Sequence, residues 1–243
     1  MKWTILGKSG GFPAPGGATS GYLLQHENRN ILVDCGSGVL ANLFRYIDIE
    51  SLDAVIITHL HYDHISDLQL LRYTVDLNRR HERPVKAIPV FAPASPEPVA
   101  SLLLTDESLV MGQVTDGTEL DMFGINVRFS LMEHPVESYA VSFENNNRKI
   151  VYSGDTIPCD NLRLILKDAD LAVLDAGSLE RYRKPVMAHM TAAECGELAK
   201  AAGVHKLVLS HLLPLYDEQE ILNEGRTIFA EAVLAENGDS YEI

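Results

Sequence analysis

The segment "VIITHLHYDHISDL" (55–68) restricts this chain more than any other stretch. An apolar run that reads as a buried strand stops, and within six positions come His59, His61, Asp63 and His64. His59 and His61 are two residues apart, so in an extended segment both side chains leave on the same side. Asp63 and His64 fall where a following helix would begin. Imidazole nitrogens and carboxylate oxygens suit zinc, iron or manganese. A loop behind a buried strand is held by a rigid element, which is why sites gather there. Two histidines in a loop are ordinarily surface residues, but four ligand-type side chains packed this tightly point to a metal.

Three other places repeat the pattern of an apolar strand running into a ligand-type residue. They are "VRFSLMEHP" at His134, "KIVYSGDT" at Asp155 and "KLVLSHLLP" at His211. Each alone reads equally well as a loop residue. Together with the first cluster they make seven, the number two adjacent metals need if one carboxylate bridges them.

The 243 residues are enough for one large domain or two small ones with a full core. A hydrophobic fraction of 46 % is that of an ordinary soluble globular protein. No segment is apolar and long enough for a signal peptide or a bilayer span, so the expected location is the cytoplasm and no membrane partner is expected. Cys35, Cys159 and Cys195 are scattered, without a CxxC pair, and read as reduced structural thiols. The net charge of −14 argues against a large polynucleotide ligand without excluding one, because a metal supplies local positive charge.

Strands are expected at 3–6, 22–25, 30–35, 54–58, 89–92, 125–132, 139–144, 149–154, 171–176 and 206–211. Helical periodicity marks 37–47, 66–80, 95–104 and 217–233. The clearest helix is 191–203, with Thr191 and Glu194 forming a capping box and Gly203 placed for C′. Strands outnumber helices and the two kinds mix, which implies an α/β (α+β) protein with helices on the outer faces of packed sheets.

The motifs "THLHYDH", "MEHP", "YSGDT" and "LSHLLP", preceded by "LVDCGSG" with Asp34, resemble the metallo-β-lactamase superfamily over about residues 3–216. The resemblance implies a single 1–243 hydrolase domain with the αββα four-layer sandwich. It implies two divalent ions, Zn2+ first and Mn2+ or Fe2+ as alternatives. His59, His61 and His134 would hold one ion, Asp63, His64 and His211 the other, with Asp155 bridging. Asp34 would brace the loop rather than ligate.

Within the superfamily, zinc β-lactamases carry a cysteine where this chain has Asp155, and flavodiiron enzymes carry a glutamate where it has His61. "HPVESYAVSFE", with Ser138 and Tyr139, and "AHMTAAECGELAKAAGVHKLVLSHLLP", with His189 and Thr191, resemble ribonuclease Z and related small phosphodiesterases. That resemblance makes Asp63 and His189 the catalytic pair: Asp63 orients the attacking water, and His189 contacts the phosphate and protonates the leaving oxygen. It also implies a homodimer. The chain departs from ribonuclease Z where the tRNA-gripping arm would stand, since "NNNRK" (145–149) allows only a hairpin turn. Met190 and Leu215 are further departures, the latter standing where tRNA enzymes tend to have arginine. The expected substrate is therefore a small phosphodiester or a short single-stranded nucleic acid. The alternatives are tRNA 3′ processing without the arm, a thioester or lactone hydrolase, and a metal-stabilised binding protein. "GKSGG" (7–11) lacks the first glycine of a P-loop and reads as a flexible loop near the site. His26, His81 and His205 read as surface residues, and Cys159 as structural.

Overall fold

The computed structural model describes residues 1–103 and 106–243. By its internal contacts the chain falls into two compact units, Met1–Val114 with Asn237–Glu242, and Thr115–Glu236 with Ile243.

The first unit is built on a mixed sheet of seven strands. These are β1 (Lys2–Gly7), β2 (Gly21–His26), β3 (Arg29–Cys35), β4 (Ala54–Ile56), β5 (Ile88–Ala92), β6 (Leu109–Gln113) and, from the chain's far end, β14 (Ser240–Glu242). Their order is β14-β1-β2-β3-β4-β5-β6. The second unit repeats the plan with β7 (Glu119–Met122), β8 (Ile125–Leu131), β9 (Tyr139–Asn145), β10 (Arg148–Tyr152), β11 (Leu171–Asp175), β12 (Lys206–Ser210) and β13 (Val233–Leu234), in the order β13-β12-β11-β10-β9-β8-β7. Each sheet is half hairpins and half parallel crossovers: β3-β4-β5-β6 and β10-β11-β12-β13 run parallel. Parallel strands need helical crossovers. The helices are α1 (Val39–Leu43), α2 (Tyr62–Ile65), α3 (Leu68–Arg80), α4 (Glu97–Ala100), α5 (Asp160–Leu166), α6 (Ala192–Ala201) and α7 (Glu218–Ile228). Two mixed seven-stranded sheets with flanking helices bear out the expected fold class.

Register explains the cores. Leu23, Leu32, Val55 and Val90 pair in turn across β2, β3, β4 and β5, forming one apolar row on one face. Leu68, Leu71 and Val75, one stripe of α3 at i, i+3 and i+7, belong to the same buried cluster. In the second unit Val151, Ala172 and Leu207 pair likewise and share a cluster with Leu162, Ile165 and Leu166 of α5 and with Cys195, Leu198 and Ala199 of α6. All three cysteines are free and buried, and burial pushes the Cys35 and Cys195 thiols up, as suits structural thiols.

The helix at α6 has the expected capping box at Thr191 and Glu194, and Gly203 takes the left-handed conformation at φ +70°. The turn between β9 and β10 is two residues, Asn146 and Asn147, both at positive φ as the tightest hairpins require. No arm stands there. The periodicity of 217–233 overran: α7 stops at Ile228 and Val233 is already a strand residue. The helix expected at 66–80 starts at Leu68, with the separate turn α2 before it. Of the expected 95–104 helix, α4 and a following 3-10 turn at Ser101–Leu103 are present, and Leu104 lies outside the described residues. Among the described residues no helix is long and apolar enough to cross a membrane.

Candidate functional site

In the first unit, β4 ends at Ile56 and the chain passes through Thr58 and His59 into α2, with His61 as its N-cap and Asp63 and His64 in its single turn. Asp34, at the end of β3, organises the group. It accepts the Thr58 amide at 2.8 Å and the Thr58 hydroxyl at 3.0–3.1 Å, and the His64 Nδ1–H donates to it at 2.7 Å. With its proton committed to Asp34, the Thr58 oxygen accepts from His59 Nδ1 at 3.1 Å. Both rings are thereby turned so that Nε2 is the donor nitrogen. A carboxylate or hydroxyl behind a ligating imidazole fixes its tautomer and raises its basicity. Asp34 is fully buried and stands at φ +56°, a backbone region uncommon outside glycine.

The donors converge. His59 Nε2 and His61 Nδ1 are 3.1 Å apart, and His64 Nε2 and Asp63 Oδ2 are 3.6 Å apart. A tetrahedral ion with bonds of ~2.0–2.1 Å holds its ligands roughly 3.3–3.4 Å from one another. The loop "GKSGGFP" reaches the same group: the Gly11 N–H donates to Asp63 Oδ2 at 2.7 Å. Gly36 is held against it from the other side. A Cβ there would stand 2.0 Å from the Asp63 carbonyl oxygen and 2.2 Å from Thr19 Oγ1, so only glycine fits.

In the second unit the residues come from five separate segments. His134 follows β8, Asp155 follows β10, Asp175 ends β11, His189 precedes α6 and His211 follows β12. Asp155, Asp175, His189 and His211 bring donor atoms within 4.8 Å of one another. His211 Nε2 is 3.4 Å from Asp155 Oδ2, and His134 Nε2 is 4.0 Å from the same oxygen while its Nδ1–H donates to the Ala188 carbonyl. His211 sits at φ +55°, a strained placement of the kind functional sites retain.

Asp175 was missed in the sequence, although "LAVLD" ends in an aspartate as the other strands do. It is the counterpart of Asp34. Its oxygens accept the Thr156 and Gly177 amides at 3.1 and 3.0 Å, and they face His189 Nδ1 at 2.9 Å and His211 Nδ1 at 3.3 Å. Burial pushes its carboxyl up, but His189 and His211 beside it hold it below the usual range. Burial works against a charged His189, and the Asp175 carboxylate outweighs it, so this imidazole's pKa is raised.

The first unit thus brings His59, His61, Asp63 and His64 together, and the second His134, Asp155, His189 and His211. His205 is a surface residue, as expected, set 3.5 Å from Asp170. Cys159 is buried beside Met132.

These features define a class, and the comparisons agree. A family model described as a beta-lactamase superfamily domain matches residues 29–212, and the chain belongs to the metallo-β-lactamase superfamily. Its histidine and aspartate clusters make it a metal-dependent hydrolase of that superfamily. Among individual proteins, it is 32 % identical to the "Probable metallo-hydrolase YhfI" of Bacillus subtilis over the full length of both chains. The crystal structure of YhfI superposes with a TM-score of 0.92, covering 99 % of each chain. The ribonuclease Z of Haloarcula marismortui is 28 % identical over 98 % of this chain and 95 % of its own. A diphosphatase from the PhnP family shares the fold, with a TM-score of 0.78 over 100 % of this chain and 97 % of that one, at 21 % identity.

Proposed function

We propose that the two clusters serve one catalytic domain as a dinuclear centre hydrolysing a small or single-stranded phosphodiester. His59, His61 and His134 would hold one ion and Asp63, His64 and His211 the other, with Asp155 shared, as the superfamily resemblance implies. Zn2+ suits the nitrogen-rich donor set first, with Mn2+ or Fe2+ as alternatives. Such ions would polarise a phosphoryl oxygen and bring the pKa of a bound water down to about 7.

The observation that carries the phosphodiesterase reading is the His189–Asp175 pair, 2.9 Å apart. Asp175 engages Nδ1 and keeps the ring protonated, which leaves Nε2 to give a proton to the departing oxygen. Leaving alkoxides of phosphodiesters need that proton. Asp63, its carboxylate oriented by the Gly11 amide, directs the attacking water and accepts its proton. Likeness to a ribonuclease Z supports a phosphodiester. The two-residue Asn146–Asn147 turn and the net charge of −14 favour a small substrate over tRNA. A cytoplasmic homodimer is part of the same proposal.

The test is His189→Ala in metal-loaded protein, assayed on bis(p-nitrophenyl) phosphate, a dinucleoside monophosphate, pre-tRNA and a thioester. The expected result is turnover of the small diesters by the parent and a loss of about 10²–10⁴-fold on the dinucleoside in the variant, at unchanged metal content. Equal loss of bound metal, or turnover of the thioester alone, would contradict the reading.

A further inference from the structure

His189 is carried on a loop with little burial of its own. Residues 180–186 are all exposed between β11 and α6, so beyond the stacking of Tyr182 on Tyr216 at 4.8 Å little apolar packing holds them. Polar ties do it instead. At the loop's base the Ser178 N–H donates to the Met190 carbonyl at 3.1 Å, and Ser178 and Thr191 form a parallel bridge. One carboxylate then spans both ends. Glu224 of α7 accepts the Glu180 N–H on Oε2 at 3.0 Å and the Ala193 N–H on Oε1 at 3.2 Å. Arg183 adds a strap, donating to both oxygens of Glu180 and to Glu194, each at 2.7 Å.

The loop's start runs beside the ring at its end, too near for a side chain to fit without displacement. A Cβ built on Gly177 would lie 3.2 Å from His189 Cβ and Cγ and 3.0 Å from Asp175 Oδ1. Backbone that shifts at Gly177–Glu180 therefore moves the surface on which the imidazole rests and the carboxylate that aims it. Ala193 N–H is one of the donors a helix start leaves unpaired, and Glu224 could have capped it alone. Its second bond, to Glu180, ties the incoming end of the loop to the first turn of α6.

We propose that Glu224 is a positioning residue for His189, closing the loop that carries it by bridging the Glu180 and Ala193 amides. This rests on the reading of His189 as proton donor. Arg183, chelated by Glu180 and Glu194, shares the task.

The experiment compares two esters in metal-loaded protein. Bis(p-nitrophenyl) phosphate expels a phenolate that leaves without a proton, whereas a dinucleoside monophosphate expels an alkoxide that needs one. Glu224→Ala is expected to lower kcat on the dinucleoside about tenfold or more, part of the roughly 10²–10⁴-fold a placed acid supplies. On the nitrophenyl ester the loss stays within about twofold, with KM and bound metal unchanged on both. In a His189→Ala background the second substitution adds nothing, because there is no longer a ring to aim. Glu224→Gln, which keeps one acceptor, gives a smaller loss with the same selectivity and serves if the alanine variant does not fold. Equal loss on both esters, full additivity in the double variant, or no loss at all would overturn the proposal while leaving His189 in its role. If His189→Ala itself fails to distinguish the two esters, the reading of His189 falls and the role of Glu224 falls with it.

Discussion

In the first unit His59, His61, Asp63 and His64 stand on one turn of chain behind β4, and a single buried carboxylate, Asp34, braces it. In the second, His134, Asp155, His189 and His211 arrive from four segments, each set by a different strand or helix, and Asp175 braces two histidines. Geometry in one case is local, fixed by backbone and a few hydrogen bonds. In the other it depends on the register of β10, β11 and β12 and on a loop held by charged side chains. The difference teaches where each cluster is vulnerable: the first to anything that deforms its turn, the second to anything that disturbs Asp175 or the sheet beneath it.

The sharpest way to break the comparison is to neutralise both braces. Asp34→Asn and Asp175→Asn each remove a carboxylate behind a histidine, a change that typically costs about 10–100-fold in metal affinity or activity. Asp34→Asn is expected to act on metal affinity, through His64 directly and through Thr58 on His59. Asp175→Asn is expected to cost more in turnover, because His189 loses its aim together with His211. Metal titration and kcat measured on both variants check this, and equal profiles would erase the distinction between the two braces.

A smaller effect tests the local nature of the first cluster. Gly36→Ala drives a methyl into the Asp63 carbonyl and Thr19 hydroxyl, and is expected to cost about 1–3 kcal/mol of stability. Thermal unfolding reads the loss. Activity per folded molecule should fall with it, because the backbone that must give way is that of Asp63, in the first cluster.

The smallest effect lies at the far end of the second sheet. Burial pushes the Asp170 carboxyl up, but the Lys149 N–H and the Arg148 guanidinium at 2.6 Å hold it below the usual range. Its stabilisation is therefore present above the unfolded carboxylate value, about 3.9, and is lost as pH falls through the lower folded value. Asp170→Asn should cost about 1 kcal/mol at neutral pH and nothing at the acid extreme. Denaturant midpoints across that window check the sign.

How far all this could be read in the residues follows the same division. The first cluster is legible because its ligand-type residues are neighbours in sequence, and the strands that carry the rest announce themselves as buried apolar runs. Edge elements do not: β6 ("LVMGQ"), β7 ("ELDM") and β14 ("SYE") are half exposed, so the alternation that marks a strand is weak. The short helix α5 buries only Leu162, Ile165 and Leu166, too little for a periodic signal. Asp175 closes the strand "LAVLD", and an aspartate closing a strand is too common to mark a site by itself. Nothing in the residue types reveals that Asp34 and His211 adopt left-handed backbone, because tertiary contacts impose it. The Glu224 bridge is equally silent, joining residues 31 and 44 positions apart.

The proposed dinuclear centre requires two ions per chain. Metal content of the purified, zinc-loaded chain, measured by elemental analysis beside Asp155→Ala, tests that directly. The expected result is about two equivalents per chain, falling steeply when the shared carboxylate is removed, with turnover lost in parallel. A parent chain that binds no transition ion, or an Asp155→Ala variant that keeps both its ions and its activity, would contradict it.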